Sequence, residues 1–183
     1  MAQRDVLIVE EERQVRELLS QIFLGAGYKC QLASNGSEGL EVFRRARPPL
    51  VVTDLGMQGV RDAGITLLKH VRQEDPDAAV IVASGMADMK TMIASLKAGA
   101  YAFLMKPINV DELLITADRA LERRRLLIER RQYQMTLEAL GSALEVTKAE
   151  LCAGTHSDPA IVASFFKAPE ALLEEVRRKR VEA

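Results

Sequence analysis

Short apolar runs recur along roughly the first 120 residues and alternate with amphipathic stretches. Three of the runs are apolar at nearly every position, which is typical of parallel strands covered on both faces. We predict five strands from these runs: Val6–Val9, Tyr28–Ala33, Leu50–Thr53, Ala79–Ala83 and Ala102–Met105.

Between the predicted strands, apolar residues recur with the period of a helix. The clearest stripe joins six positions that share one helical face: Val15, Leu18, Leu19, Ile22, Phe23 and Ala26. Weaker patterns predict helices over Ser37–Ala46, Ile65–Glu74 and Asp88–Lys97. Because each gap accommodates one crossover helix, we predict a (βα)5 doubly wound parallel sheet with helices on both faces.

A further helical pattern extends past the fifth predicted strand, from about Asn109 to about Leu151. Within it, apolar residues alternate at spacings of four and three, which makes a heptad seam: Tyr133, Leu137, Leu140, Leu144, Thr147 and Leu151. The seam predicts a homodimer or a docked downstream protein. A last amphipathic helix is predicted over Glu170–Val181.

These patterns predict three parts. The sheet domain covers residues 1–122, a coiled-coil extension that continues its last helix covers 123–153, and a short helical tail covers 154–183.

The composition is that of a globular protein, with 48% hydrophobic and 28% charged residues among 183. A net charge of −1 provides no basic field for DNA or anionic lipid, and 4% aromatics disfavour a stacking surface for single strands. No helix-turn-helix pattern follows the predicted sheet. We expect no direct nucleic acid partner and no membrane partner.

The N-terminus and the cysteines bear on the compartment. The first apolar run is too short for a secretory signal and is closed by Glu10. Cys30 and Cys152 cannot make a disulfide framework, and no Cys/His spacing indicates zinc. No run reaches the length needed to cross a bilayer. We expect a cytoplasmic protein.

Polar residues follow four of the five predicted strands. In chain order they are Glu10-Glu11-Glu12, Asp54, Ser84 and Lys106-Pro107. In open parallel sheets, ligands bind outside the carboxyl ends of the strands. The sequence therefore predicts a site that combines carboxylates, a hydroxyl and an ammonium at one edge of the sheet.

This combination suits phosphoryl chemistry. An aspartate can accept a phosphoryl group as a carboxylate nucleophile, and catalysis of the transfer is mostly positioning and charge neutralisation. Glu10 and Glu11 offer the oxygen ligands that Mg²⁺ needs. Lys106 and Ser84 offer an ammonium and a hydroxyl for phosphoryl oxygens.

Four motifs at these strands occur together: Val6-Leu7-Ile8-Val9-Glu10-Glu11-Glu12, Val51-Val52-Thr53-Asp54-Leu55, Val80-Ile81-Val82-Ala83-Ser84-Gly85 and Gly99-Ala100-Tyr101-Ala102-Phe103-Leu104-Met105-Lys106-Pro107. Over about residues 4–122 the chain resembles the receiver domain of two-component response regulators, the flavodoxin-like fold of the chemotaxis protein CheY. The resemblance implies strand order 2-1-3-4-5, a sensor histidine kinase as phosphodonor, and a signalling face formed by helix 4, strand 5 and helix 5.

The resemblance also implies a role for each site residue. Asp54 is the implied phosphoacceptor. The implied Mg²⁺ ligands are Glu10, Glu11, Asp54 and the backbone carbonyl of Gly56. The implied phosphoryl-binding and switch residues are Ser84, Phe103 and Lys106, and Pro107 is a candidate for a cis peptide bond.

Two departures from that family's pattern concern the metal. Receivers usually carry a pair with at least one Asp after the first strand, whereas this chain has Glu10 and Glu11, each one methylene longer. Mg²⁺ demands near-ideal octahedral geometry, so binding is weakened or lost if these glutamates do not bind it. The loop after Asp54 also differs, with Gln58 at the usual proline and Gly64 about two residues late.

The same residues have structural interpretations. Glu10–Glu12 suit a solvated first helical turn, where the helix dipole favours carboxylates. Lys106 suits a structural ion pair with Asp54, and Phe103 suits a plain core position. These interpretations leave open a phosphorylation-independent pseudo-receiver that serves as an interaction scaffold.

The segments Leu140–Glu145 and Gly154–Ser157 faintly resemble the opening of an HD-GYP phosphodiesterase domain. This leaves open a regulatory fragment related to receiver–HD-GYP phosphodiesterases. The metal-binding His-Asp pair and the GYP motif are absent from the sequence. We therefore expect no enzyme activity.

Overall fold

The computed structural model describes residues 4–57, 59–60, 62–85 and 89–154, with side chains described through Ser142. Within these residues, strands and helices alternate: β1 (Asp5–Val9), α1 (Arg13–Gly25), β2 (Lys29–Ala33), α2 (Gly36–Ala46), β3 (Leu50–Asp54), α3 (Ala63–Glu74), β4 (Ala79–Ser84), α4 (Met89–Lys97), β5 (Ala102–Met105) and α5 (Val110–Gly154). The helix predicted over Glu170–Val181 lies outside the described residues.

The strands form one parallel sheet in the order β2-β1-β3-β4-β5. This arrangement confirms the predicted flavodoxin-like (βα)5 sheet and its strand order. The three middle strands are buried almost throughout, because helices cover the sheet on both faces. The outer strands β2 and β5 are more exposed, in keeping with the weaker apolar pattern of β2.

Side chains from the sheet enter two apolar layers. Alternate residues of β1 point to opposite faces, so Leu7 and Val9 lie in one layer and Val6 and Ile8 in the other. Helices α2 and α3 cover the first layer, and α1 and α5 cover the second. The sheet is thereby held between two apolar layers, which cover its faces but not the edge where the strands end.

The apolar stripe of α1 differs from the sequence prediction at Leu18. Leu19 and Phe23 are buried, whereas Leu18 is 57% exposed. Leu18 lies at the margin of the stripe, so the helix buries a narrower face than the pattern indicates. The helix ends at Gly25, and Gly27 continues the turn with φ of 81°.

The first part of α5 is attached to the sheet by packing and by polar contacts. Leu113 and Ala117 are completely buried. The Tyr28 hydroxyl donates to Asp118 Oδ1 at 2.6 Å, and Arg124 Nη2 lies 2.9 Å from Asp75 Oδ2. These contacts hold α5 against both β2 and the loop before β4.

The described residues separate into two compact units, one through Arg130 and one from Arg131. In the second unit, α5 continues to Gly154, and Tyr133, Leu137 and Leu140 are 74%, 43% and 57% exposed. Of the helices in the described ranges, none is long and apolar enough to cross a membrane.

Candidate functional site

Three charged side chains meet at the carboxyl edge of the sheet. Lys106 Nζ lies 2.6 Å from Glu10 Oε2 and 3.3 Å from Asp54 Oδ2. The pairing of β1 with β3 places Val9 opposite Thr53, so Glu10 and Asp54 follow neighbouring positions. The sequence prediction of an acidic and basic site at this edge therefore corresponds to a real contact between the first, third and fifth strand ends.

Both carboxylates of this site are held on two sides. Glu10 Oε1 accepts a hydrogen bond from the backbone N–H of Glu12 at 3.2 Å, and Asp54 Oδ1 accepts one from Leu55 at 2.8 Å. Their second oxygens contact the ammonium of Lys106. Glu10 is only 3% exposed, so its pairing with Lys106 is largely shielded from solvent.

The charges change the protonation behaviour of Asp54 and Lys106. Burial, followed by the nearby carboxylate of Glu10, raises the pKa of Asp54, and Lys106 offsets only part of that effect. Burial lowers the pKa of Lys106, but its hydrogen bond to Glu10 and the charge of Asp54 outweigh burial, so its pKa is raised. Lys106 therefore remains an ammonium at neutral pH.

The ends of β4 and β5 supply the remaining predicted residues. Ser84 is buried at the end of β4, and its carbonyl accepts a hydrogen bond from the backbone N–H of Lys106 at 2.7 Å. The Lys106–Pro107 peptide bond is cis. Phe103 is partly buried and packs against the apolar layer that α2 and α3 cover.

The turn after β1 separates the two glutamates. Glu10 is buried and faces Lys106, whereas Glu11 is exposed. Arg16 fixes this turn, because its Nη1 donates to the backbone carbonyls of Glu10 at 2.6 Å and Glu11 at 3.1 Å. The residue pattern gives no signal for this role of Arg16, because a side chain that binds backbone oxygens needs no particular partner residue.

Gly64 permits the close contact between α3 and the end of β3. Its backbone N–H donates to the carbonyl of Leu55 at 2.8 Å, and a Cβ at this position would overlap the carbonyl oxygen of Asp54. The sequence shows the late position of Gly64 but not its packing against Asp54.

The loop between β3 and α3 contains a small hairpin. The backbone N–H of Met57 donates to Val60 O at 3.1 Å, and that of Val60 donates to Met57 O at 2.9 Å. Met57 itself is buried, while Gly56 is exposed. Gln58 lies outside the described residues.

The donor set at this edge of the sheet meets part of the needs of Mg²⁺. Two carboxylates suit this ion, which is often bound through one or two carboxylates together with waters and phosphate oxygens. Among the described residues, no three His, Cys, Asp or Glu side chains are grouped as a metal site, so Glu11 does not join Glu10 and Asp54. The pair fits Mg²⁺ chemically, but Lys106 already contacts one oxygen of each carboxylate.

Comparison with known proteins identifies similar sequences and structures. Residues 6–118 match the response regulator receiver domain. The nitrogen assimilation regulatory protein NtrX of Azorhizobium caulinodans is 36% identical over 128 residues, which cover 70% of this chain and 28% of that protein. This chain thus spans little more than a quarter of the length of that curated relative.

Two solved structures extend the comparison. A response regulator receiver domain protein from Clostridium thermocellum has a TM-score of 0.64 at 27% identity, covering 67% of this chain and 98% of that one. The beryllofluoride-activated NtrC4 receiver domain dimer has a TM-score of 0.62 at 30% identity, covering 66% and 98%. In both cases nearly the whole solved domain is matched.

Proposed function

The chain belongs to the response regulator receiver domain family, and we propose that it accepts a phosphoryl group on Asp54 from a sensor histidine kinase in the cytoplasm. Receiver domains interact with such kinases and are typically signalling modules without enzyme activity of their own. The observation that carries the proposal is the contact of Lys106 with both Asp54 and Glu10 at the carboxyl edge of the sheet.

In the proposed transfer, a carboxylate oxygen of Asp54 attacks the phosphorus of a phosphohistidine. The oxygen–phosphorus bond forms as the phosphorus–nitrogen bond breaks, and the imidazole nitrogen keeps the electron pair and takes a proton from solvent. Lys106 neutralises charge on the phosphoryl oxygens, which is the main requirement of this reaction. Ser84, buried at the neighbouring strand end, is the proposed hydroxyl partner of the phosphoryl group.

Receiver domains typically bind Mg²⁺ at the phosphorylation site. In this chain Glu10, Asp54 and the backbone carbonyl of Gly56 are the proposed ligands, whereas Glu11 is exposed. When bound, the ion supplies positive charge to the phosphoryl oxygens. The residues must then share the carboxylates of Glu10 and Asp54 between the ion and Lys106.

The proposed output is a protein–protein contact made by α4, β5 and the start of α5. Large apolar side chains on these elements are strongly exposed: Met89, Ile93, Leu96, Met105 and Val110. Phosphorylation is proposed to act through Ser84 and Phe103 by shifting the population of two arrangements of this face. Uncovered apolar surface of this kind is typical of interaction sites.

The proposed partner of the second unit is a second copy of the chain. Tyr133, Leu137 and Leu140 are exposed at heptad spacing, and the sequence continues the pattern at Leu144 and Leu151, whose side chains lie outside the description. Receiver domains can dimerise. We retain the domain division at residues 1–122, 123–153 and 154–183 as part of this proposal.

A second candidate function is a scaffold that does not depend on phosphorylation. It is favoured by one observation: every carboxylate oxygen of Glu10 and Asp54 already has a partner within the protein. A site closed in this way is a stable structural network without any ligand. The remaining alternative, a fragment related to HD-GYP phosphodiesterases, depends on the segments Leu140–Glu145 and Gly154–Ser157, of which residues 155–157 lie outside the described ranges.

Intact-mass spectrometry after incubation with acetyl phosphate and Mg²⁺ separates the two functions. We expect the wild type to gain one phosphoryl group and Asp54→Asn to gain none. Asp75→Asn is the matched control, because it removes another partly buried carboxylate that lies outside the site, and it should still be phosphorylated. If the wild type gains no mass with this donor or with a phosphorylated kinase, the scaffold function is supported instead.

A further inference from the structure

The outward side of α5, within the first compact unit, carries three arginines and two large apolar residues. Ile115, Arg119, Arg123, Leu126 and Arg130 recur at spacings of four, four, three and four residues, so they share one face of the helix. All five side chains are exposed, and the buried residues of α5 lie on another side of the helix. We call these five residues the arginine face.

The other two arginines of this part of α5 already have carboxylate partners. Arg124 Nη2 lies 2.9 Å from Asp75 Oδ2, and Arg125 lies 3.1 Å from Glu122 and 3.6 Å from Glu129. The three arginines of the arginine face, in contrast, form no ion pair within the part of the chain that the structure describes. Their positive charge is therefore available to a partner.

Arg123, in the middle of the arginine face, is held by an aromatic ring. Its guanidinium lies 5.8 Å from the centroid of the Tyr101 ring. This contact restricts the side chain but leaves the five N–H donors of the guanidinium for hydrogen bonds. Because the side chain is already partly ordered, less conformational entropy is lost when it binds a carboxylate.

The spacing of the arginines describes the partner. Along the axis of α5, Arg119 lies about 6 Å from Arg123, and Arg130 lies about 10 Å from it on the other side. A second helix lying along α5 presents carboxylates at these intervals when acidic residues occupy positions i, i+4 and i+11. Arginine binds carboxylates in a bidentate manner, and an apolar residue between the acidic positions would contact Leu126.

Two other partners fit the arginine face less well. A parallel symmetric pair of chains would set each of its arginines against the same arginine of the second copy, and such like-charge contacts are strongly unfavourable. A helix that lies on an anionic membrane separates an apolar side from a basic side. Here Leu126 lies between arginines, and Glu122 and Glu129 are close to the face.

We infer that the arginine face binds an acidic amphipathic helix of a partner protein. Carboxylates of that helix pair with Arg119, Arg123 and Arg130, and an apolar side chain packs on Leu126. The surface contains none of the residues of the proposed phosphorylation site. Its binding of a partner and the phosphorylation of Asp54 can therefore fail independently.

The experiment uses the full chain and a synthetic helical peptide of about 18 residues, long enough to span the arginine face. The peptide has glutamates at positions i, i+4 and i+11 with leucines between them. The control peptide has the same composition, but its glutamates are distributed around the helix. In ¹H–¹⁵N correlation spectra, we expect the first peptide to shift signals of residues 115–130 and to bind at least about tenfold more tightly than the control. Equal binding of both peptides, or shifts confined to other residues, overturns the inference.

A double variant locates the contact. Arg119→Gln combined with Arg130→Gln should weaken binding of the acidic peptide at least about tenfold, because two charge-assisted contacts are lost. Arg45→Gln is the matched control, since Arg45 is an exposed arginine on α2 without an ion pair in the described residues, and its affinity should equal that of the wild type. Unchanged affinity in the double variant contradicts the inference. The comparison of the two peptides on the wild type needs no variant and holds even if the double variant does not fold.

Two further measurements examine the other partners. Co-sedimentation with vesicles of phosphatidylcholine and phosphatidylglycerol tests for a membrane, and sedimentation velocity tests for a second copy. Vesicle binding that the double variant loses would assign the arginine face to anionic lipid. A dimer that the double variant loses would assign it to a second copy. Either result overturns the inference.

Discussion

Gly64, in the first turn of α3, lies directly against the backbone carbonyl of Asp54, and the space between them admits no side chain. The adjacent hydrogen bond from Gly64 N–H to Leu55 O, at 2.8 Å, also holds the start of α3 against the end of β3. Gly64 has an ordinary helical backbone, so the requirement for glycine comes from the close approach and not from a left-handed conformation. The position of the proposed phosphoacceptor thus depends on a glycine ten residues further along the chain.

Gly64→Ala should destabilise the protein and displace the end of β3. The added methyl group meets backbone atoms, which cannot move as a flexible side chain does, so we expect a loss of about 2 kcal/mol or more in the free energy of unfolding. Urea denaturation measures this loss. Gly25→Ala is the control, because nothing lies within 4 Å of its added Cβ. Its stability should be equal to or above that of the wild type, and equal stability of the two variants would contradict the steric explanation.

Much of the fold was predictable because burial on both faces leaves a strong pattern. Val51, Val52 and the run Ala79–Ala83 of β4 are apolar at consecutive positions, which indicates central parallel strands. Strand β2 was weakly indicated because its edge position leaves Lys29 and Leu32 exposed. The sequence does not show that Leu18 is exposed. A residue at the margin of a buried helical face has the same spacing from Leu19 and Ile22 as a residue inside that face.

The site was predictable only in its composition. Parallel strands end at one edge, so Asp54 and Lys106 were expected to meet there. The sequence does not show that Lys106 lies closer to Glu10 than to Asp54, because that distance depends on side-chain conformations. The contact of Arg16 with two backbone carbonyls likewise has no counterpart in residue pattern.

Asp75→Asn should destabilise the protein at neutral pH and much less in acid. Burial raises the pKa of Asp75, but the hydrogen bonds from Arg124 and from the backbone of Asp77 outweigh it, so the pKa is lowered. A lowered carboxyl pKa contributes stability above its unfolded value near 4, and this contribution is lost as the pH falls through the folded value. We expect a loss of about 1.5–3 kcal/mol at pH 7.

Urea denaturation at neutral pH and at about pH 3 provides the test for Asp75, since carboxyl groups titrate between these conditions. Asp75 lies in the loop before β4, at the opposite edge of the sheet from the carboxyl ends where Glu10 and Lys106 meet, so the site itself should still be intact. A cost that is the same at both values of pH would show that the Asp75–Arg124 ion pair contributes no charge-dependent stability.

Asp54→Asn should have the opposite effect at neutral pH. The pKa of Asp54 is raised, first by burial and then by Glu10. Stability from this group is present below the unfolded value near 4 and is lost as the pH rises through the folded value. Removing the charge should therefore stabilise the protein at pH 7, by up to about 1 kcal/mol, with the gain shrinking in acid. A destabilised Asp54→Asn at pH 7 would show that the pairing with Lys106 outweighs burial.

Tyr28→Phe should weaken the attachment of α5 to β2. The Tyr28 hydroxyl donates to Asp118 at 2.6 Å, and the removal of one hydrogen bond to a carboxylate costs about 1–2 kcal/mol. Thermal or urea unfolding measures the change. The matched control is Tyr133→Phe, since the 74% exposed Tyr133 should contribute almost nothing through its hydroxyl. Equal effects of the two substitutions would contradict a role for the Tyr28–Asp118 contact.

Leu137→Asp should abolish self-association if the heptad seam joins two copies of the chain. Leu137 is 43% exposed at a seam position, and a charge there would be buried in a dimer without a partner, which costs several kcal/mol. Met135→Asp is the matched control, because Met135 is 63% exposed but lies off the seam, between Tyr133 and Leu137. Sedimentation velocity over a range of protein concentrations should give a dimer for the wild type and Met135→Asp, and a monomer for Leu137→Asp. A wild type that remains monomeric, or two variants that dissociate equally, would show that the exposed seam serves a different partner.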